Sequence, residues 1–288
     1  ATEVSTGASP TALHPLLHVN SSMLSALRFE SEFQGQEFFF KDHVVKGRKV
    51  LPGVAYLEMA REALARISES GTHWRLKNLV WAAPITMEQA AHRVGIDLYP
   101  MADGQMEYEF RSLGEEASSV VHARGLADQS AASDWQSLDL KALREPMPVG
   151  ELPASQLYRM FSELGIDYGP GHRGVKRLYL GAGQVLSELE LPNVLLQAAN
   201  DFVLHPSLLD AAVQSSLALT LDHESTQFET PTQLSLPFAL DELEVFQACP
   251  VRMWAWIRES TGGGDSSQVQ KLDICLLYTS DAADDEER

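Results

Sequence analysis

The sequence predicts an α+β protein of two similar lobes, each an antiparallel sheet with one buried helix. Three observations predict it. Two Pro-opened segments, Val54 to Ser68 and Pro206 to about Leu221, are apolar nearly all round in their first turns, as helices enclosed by other elements are. Each is accompanied by short stretches of strand character separated by turn residues. Between the two sets, over 128–153, periodicity fails and Pro146, Pro148 and Gly150 accumulate, so a linker is expected there. With 288 residues, each lobe has enough chain to bury its own core.

Taken in order, residues 1–12 are polar and Ser/Thr-rich and read as a tether. The N-terminal lobe is expected over 13–127. From Arg28 to Phe40 short apolar stretches alternate with polar ones. In the helix after Pro52-Gly53, the charges Glu58, Glu62, Arg66 and Glu69 recur at helical spacing and are expected to form one polar stripe. Strands follow around Leu76–Trp81, Arg93–Tyr99, Met106–Arg111 and Ser119–Arg124. The C-terminal lobe is expected over 154–277. There Leu157, Met160, Phe161 and Leu164 mark an amphipathic helix that stops at Gly165. Strands at Val175–Leu180 and Val185–Leu191 precede the second buried helix. Leu234–Phe238, Leu243–Phe246, Val251–Arg258 and Val269–Leu277 complete the set, the last two joined by Gly262-Gly263-Gly264. Residues 278–288 are acidic and unpatterned, and are expected to be a disordered or non-native tail.

Lys plus Arg is 22 and Asp plus Glu is 40, giving a formal charge of −18. That is the wrong sign for gripping nucleic acid or an anionic membrane, and neither partner is expected. No apolar run approaches the roughly 18 residues of a spanning helix, and no signal-peptide core opens the chain. A soluble, cytoplasmic protein is expected. Cys249 and Cys275 make neither a disulfide framework nor a zinc site unaided, which fits a reducing compartment. Because the chain begins at Ala1, a piece of a longer or processed polypeptide is expected.

Two places break the rule of polar outside and apolar inside. In the first, Asp42-His43 precedes Gly47 and Leu51-Pro52-Gly53, which feed the N-terminus of the first buried helix. Free N–H groups at such a terminus can hold a developing oxyanion, and an imidazole with a pKa near 6.5 can take a proton at neutral pH. The second is Asp210, a carboxyl on an otherwise apolar helix, with Gln214 one turn later on the same face. His43, His172, His205, His223 and Asp210 match no compact ligand spacing, so no metal is expected.

His43 to Pro52 reads His-x-x-x-Gly-x-x-x-x-Pro. Asp167-Tyr168-Gly169-Pro170 follows, then His205-Pro206-Ser207-Leu208-Leu209-Asp210 with Gln214 completing Asp-x-x-x-Gln, and finally Leu236-Pro237-Phe238. This ordered set, from about His14 to Leu277, resembles the dehydratase domains of bacterial modular polyketide synthases. The resemblance implies a double hot-dog fold, in which each sheet wraps its own long helix. One departure is His172, which stands where the family usually has an aromatic and would make the pocket wall more polar.

The resemblance further implies dehydration of a 3-hydroxyacyl thioester, carried on the phosphopantetheine of an acyl carrier protein, to a 2-enoyl thioester. No cofactor is implied. His43 would take the C2 proton, the Gly53 N–H would bind the thioester oxygen, and Asp210 would hydrogen-bond or protonate the departing hydroxyl. The second role for Asp210 requires raising its pKa from about 3.9 to 7, roughly 4 kcal/mol. Gln214 would orient Asp210 and Tyr168 would offer its hydroxyl to substrate. His43 and Asp210 are expected to face each other across one pocket. The carrier, usually acidic in this family, is expected to dock on a local basic patch, for which Arg173, Lys176 and Arg177 are the candidates. Other synthase domains are expected partners, as is a second copy pairing through the N-terminal lobe. Three alternatives stay open: a double-bond isomerase, a cyclase closing oxygen rings by conjugate addition, and a catalytically silent docking module. The presence of Pro52 and Asp210 favours dehydration.

Overall fold

Helices α1 (Phe38–Lys41), α2 (Gly53–Ile67), α3 (Leu140–Arg144), α4 (Ala154–Glu163) and α5 (Pro206–Ser215) alternate with strands gathered into three sheets. The computed structural model describes residues 12–87, 91–114, 120–130, 138–147, 149–221, 228–232, 235–260 and 269–278. Residues 1–11 of the expected tether, the Gly262-Gly263-Gly264 connection, Ser119, His223 and all of the acidic tail except Tyr278 lie outside these residues.

In the first lobe Val54, Ala55, Tyr56, Leu57, Met59, Ala60, Ala63 and Leu64 are all buried, so α2 has no free apolar face. A seven-stranded antiparallel sheet surrounds it, in the order Val19–Asn20, Leu27–Phe33, His92–Pro100, Met106–Ser112, Val121–Ser130, His73–Trp81 and Ala239–Leu243. Its register sets Phe29 opposite Ile96 and Ile96 opposite Phe110, which places all three on the face toward the helix. Tyr56 meets Phe110 edge-on with ring centroids 5.0 Å apart. On the opposite face Asp97 and Glu109 are covered by Arg28, Arg111 and Arg124, so two carboxylates with little exposure remain paired.

In the second lobe α5 is buried along nine of its ten residues, Val213 being the exception, and packs on a five-stranded antiparallel sheet. The strand order is Gly150–Pro153, Val175–Gly181, Gln184–Glu190, Arg252–Glu259 and Leu272–Leu277. Helix α4 ends before Gly165, whose φ of +85° lets the chain reverse. Each sheet thus wraps one central helix, and the architecture is the double hot-dog.

Several boundaries differ from the sequence reading. The stretch 128–153 is partly structured: the strand from Val121 runs on to Ser130, and Gly150–Pro153 pairs with Arg177–Leu180. Between them α3 and Met147 cover the outer face of the second sheet against Tyr179, Leu186, Trp254 and Trp256, with the Arg144 guanidinium 4.3 Å from the Tyr179 ring centroid. Ala239–Leu243, placed in the C-terminal lobe by sequence, instead extends the first sheet along His73–Trp81. There it covers what would otherwise be a bare edge of that strand. The described part of Leu234–Phe238 is not a strand, although the Phe238 carbonyl accepts the Trp81 N–H at 3.0 Å. Helix α5 ends at Ser215 and continues to Thr220 as a 3₁₀ turn.

The polar stripe of α2 is also corrected at its first member. Glu58 is 0 % exposed. Its carboxylate accepts the Val203 and Leu204 N–H groups, both at 2.9 Å, and the Arg61 guanidinium at 2.7 and 2.9 Å, with His14 Nε2 at 3.3 Å. Burial pushes Glu58 up, but the His14, Arg61 and Val203 interactions hold it below the ordinary glutamate value. Glu58 therefore pins the segment that enters α5. Replacing Glu58 with Ala is expected to cost about 3–5 kcal/mol, since a guanidinium and two backbone donors lose their acceptor. Because the folded pKa is depressed, the stabilisation is present above the unfolded pKa and lost as pH falls through the folded one. Urea midpoints of wild type and Glu58→Ala at pH 7 and below pH 4 would read both effects; equal midpoints at pH 7 would refute them.

Candidate active site

The two lobes are joined by a third, four-stranded sheet, in the order Ile166–Tyr168, His43–Val45, Arg48–Val50 and Thr86–Met87. Its register sets Tyr168 opposite His43, so residues 125 positions apart in sequence share a rung. Asp42, at the C-terminal end of α1, tightens this seam. Its carbonyl accepts the Gly169 N–H and its Oδ2 accepts the Gly171 N–H, both at 2.8 Å. A Cβ on Gly169 would overlap the Asp42 carboxylate, which is why a glycine stands there.

His43 is buried beside the Tyr168 ring, with centroids 5.5 Å apart. Its Nδ1 lies 2.8 Å from the Val50 carbonyl. A carbonyl only accepts, so Nδ1 carries the proton and Nε2 presents a lone pair. Burial holds the His43 pKa below the usual 6.5, although nearby Asp210 pulls it up; the ring is neutral at pH 7. Val50 leads through Leu51 to Pro52, the N-cap of α2, whose end no side chain caps. Gly53 opens the helix against the Trp81 indole, and a Cβ there would lie 3.3 Å from it.

From the other lobe α5 brings Asp210, 6 % exposed. Helix α5 starts at Pro206, with His205 Nδ1 accepting the Ser207 N–H at 3.2 Å. The Asp210 Oδ2 accepts hydrogen bonds from Gln214 Nε2 at 2.7 Å and from His172 Nδ1 at 3.1 Å, and Gln214 also donates to the His172 carbonyl at 3.0 Å. Burial pushes the Asp210 carboxyl up, but His172, His43 and Gln214 together more than offset this, leaving it below the ordinary aspartate value. Burial raises the Tyr168 hydroxyl well above the ordinary tyrosine value, so it stays protonated.

His43 and Asp210 thus meet at one site, with His172 between them: its ring centroid lies 5.5 Å from that of His43. Sequence reasoning noted His172 only as a polar replacement on the pocket wall. The signal was its position two residues after Pro170, but the partner 38 residues onward was not legible. The members of the basic trio have different partners. Arg173 donates to the Tyr168 carbonyl at 2.8 Å and lies beside the Tyr158 ring, at the rim of the seam. Lys176 lies 3.7 Å from Glu190 and Arg177 3.7 Å from Glu151. Among the described residues no three His, Cys, Asp or Glu side chains converge as a metal set, and no helix is long and apolar enough to cross a membrane.

Known proteins share this architecture. Residues 14–113 match the family described as polyketide synthase dehydratase domain. Residues 136–281 match the one described as polyketide synthase dehydratase N-terminal domain, here in the second half of the chain. Polyketide synthase PksN of Bacillus subtilis is 42 % identical over 271 residues, 92 % of this chain and 5 % of that protein. A trans-AT polyketide synthase dehydratase domain from Brevibacillus brevis is 43 % identical with a TM-score of 0.85, covering 93 % of each chain. The dehydratase domain from the CurK module of curacin polyketide synthase, 23 % identical, shares the fold with a TM-score of 0.81 over 92 % of each chain. The chain belongs to the polyketide synthase dehydratase domain family. It spans about a twentieth of the curated relative PksN, so it corresponds to one domain of a multidomain synthase.

The seam itself is testable. Gly169→Ala is expected to destabilise the fold by about 1–3 kcal/mol, because the new methyl group must displace the Asp42 carboxylate. Gly183→Ala, in an open turn at φ +66°, is expected to cost less. Thermal melts of both variants check this, and the reverse order would refute it.

Proposed function

We propose that this domain dehydrates a 3-hydroxyacyl thioester held on the phosphopantetheine of an acyl carrier protein, giving a 2-enoyl thioester and water. The supporting observation is the pairing of a neutral histidine, its Nδ1 tied to a carbonyl, with a charged aspartate across one buried seam. His43 Nε2 takes the proton from C2. Negative charge then builds on the thioester oxygen, and the Gly53 N–H at the uncapped start of α2 is the donor for it. The C2–C3 double bond forms as the C3–O bond breaks. Asp210, ionised and aligned by Gln214, accepts a hydrogen bond from the 3-hydroxyl and orients that bond. The His43 imidazolium returns its proton to the departing hydroxide, so water leaves and the base is regenerated. Tyr168 donates its hydroxyl to the substrate. The reaction balances without a cofactor, and the reading makes the enzyme a hydro-lyase working in the cytoplasm.

Loss of one water from the mass of a carrier-bound 3-hydroxyacyl chain, with a new ultraviolet enoyl band, is the expected result. A shifted double bond or a ring closure would instead favour the isomerase or the cyclase, and no change at all the silent module. His43→Ala is expected to lower kcat by about 10²–10⁴-fold or more with the fold intact. Asp210→Asn is expected to hurt less, since the amide oxygen still accepts a hydrogen bond. Near wild-type rates for both variants would refute the mechanism. The rate should fall on acidification only below about pH 6.5, where His43 becomes protonated, because its pKa is depressed.

The acidic carrier is proposed to approach the rim at Arg173. Raising salt is then expected to increase KM for the carrier-bound substrate with kcat little changed, and to leave a small soluble thioester unaffected. Reversing the charges of Arg173, Lys176 and Arg177 together is expected to raise KM for the carrier-bound substrate and to spare the small thioester. Equal salt responses of the two substrates would move the carrier elsewhere.

A further inference from the structure

His172 is the one fully buried histidine that touches the Asp210 carboxylate among the described residues, and the reaction sequence above gives it no role. It sits in the short 3₁₀ turn Pro170–His172, whose backbone is fixed at three points. The Gly171 N–H is bound to Asp42 Oδ2, the His172 N–H to the Gly169 carbonyl at 3.0 Å, and the His172 carbonyl to Gln214 Nε2. The ring is held on two sides: its centroid lies 5.7 Å from Phe38 and 6.4 Å from Tyr168, with small interplanar angles. Its Nε2 is buried with no hydrogen-bond partner among the described residues. An unpartnered ring nitrogen costs least as a bare lone pair, so the proton belongs on Nδ1, where Asp210 Oδ2 accepts it.

We propose that His172 is a positioning residue for Asp210: it and Gln214 together commit Oδ2, so that Oδ1, which takes no hydrogen bond among the described residues, is left for the substrate hydroxyl. The proposal rests on the dehydratase reading above and gives the site of that reading its specificity for a hydroxyl at C3. Two donors on one oxygen leave the carboxylate a single orientation about its terminal bond. Removing His172 frees that rotation and also takes away the hydrogen bond that most opposes the effect of burial on Asp210.

The groups facing this pair are accounted for. His43 approaches from the seam sheet, Tyr168 from the strand before the turn, and Tyr158 from α4. Asp42 lies under the Gly171 N–H, and His205, held neutral by burial with a pKa of about 3, stands on the far side of Phe38. Arg173 points the other way, toward the Tyr168 carbonyl, and Asp201 at the end of the neighbouring 3₁₀ segment is exposed. None of these donates a hydrogen bond to Asp210.

The test compares wild type, His172→Phe and His172→Asn. Phenylalanine keeps a ring between Phe38 and Tyr168 but cannot donate a hydrogen bond, whereas asparagine can. The Asp210 carboxyl is followed by carbon-13 NMR titration, assigned by difference against Asp210→Asn, alongside KM and kcat on a 3-hydroxyacyl thioester. In His172→Phe the Asp210 pKa is expected to rise by about one unit or more, and KM by about 10- to 100-fold with a smaller change in kcat. His172→Asn is expected to recover most of both. A His172→Phe protein that melts like wild type and keeps its Asp210 titration and KM overturns the proposal, as does an asparagine variant no better than phenylalanine. The function reading fails separately, if wild type removes no water; the carboxyl titration still decides the role of His172 in that case.

Discussion

The antiparallel pairing of His43–Val45 with Ile166–Tyr168 is the constraint on which the rest of the site depends. Each lobe has its own core and its own central helix, and neither contains both halves of the chemistry. The shared rung between His43 and Tyr168 sets the imidazole beside the turn that carries His172, and His172 in turn reaches Asp210. Three ladder positions would be a weak joint alone. Asp42 reinforces it by taking two N–H groups of the Gly169–Gly171 turn, and two glycines there allow the carboxylate to come that close.

A second tie runs deeper. The Glu58 carboxylate projects from α2 into the space between the helices and receives the backbone donors that lead into α5. A buried carboxylate is costly unless its oxygens are filled, and here Arg61, His14 and two peptide groups fill them. The position of Asp210, two turns beyond, is therefore referenced to the same helix whose first residue is the proposed oxyanion donor. Base, hydroxyl anchor and oxyanion donor come from different elements, yet all three are fixed to α2 or to the seam.

Burial favours the neutral form of both proposed catalytic groups, and their partners decide the outcome at each. Desolvation keeps His43 neutral, ready to accept a proton, and its bond to Val50 selects which nitrogen does so. The same desolvation would neutralise Asp210, but the donors from His172 and Gln214 hold the charge. Composition and spacing left open whether Asp210 is acid or anchor; the two hydrogen bonds on its Oδ2 support the anchor role proposed above. The outer faces of the sheets carry no part of this. One is closed by an arginine and carboxylate lattice, the other by α3 and a cluster of aromatic rings.

The sequence by itself determined the two-lobed class, both central helices, most long strands and the residues His43, Gly53, Asp210 and Gln214. These follow from local signals: apolar periodicity, Pro at helix starts, turn residues, and polar groups where periodicity demands apolar ones. Only the tertiary structure decided the rest, because it depends on pairings between distant segments. The three-residue strands of the seam are too short to carry a periodic signal. Ala239–Leu243 crosses to the other lobe to cover an edge that exists only once the sheet is folded. Glu58 reads as one member of a solvated stripe, since its acceptors' partners lie 145 and 146 residues away. His172 looks like a change in pocket polarity until Asp210 is placed against it. A charge or a ring acquires its role from what folding brings within about 3 Å of it, and that distance is not written in the order of the residues.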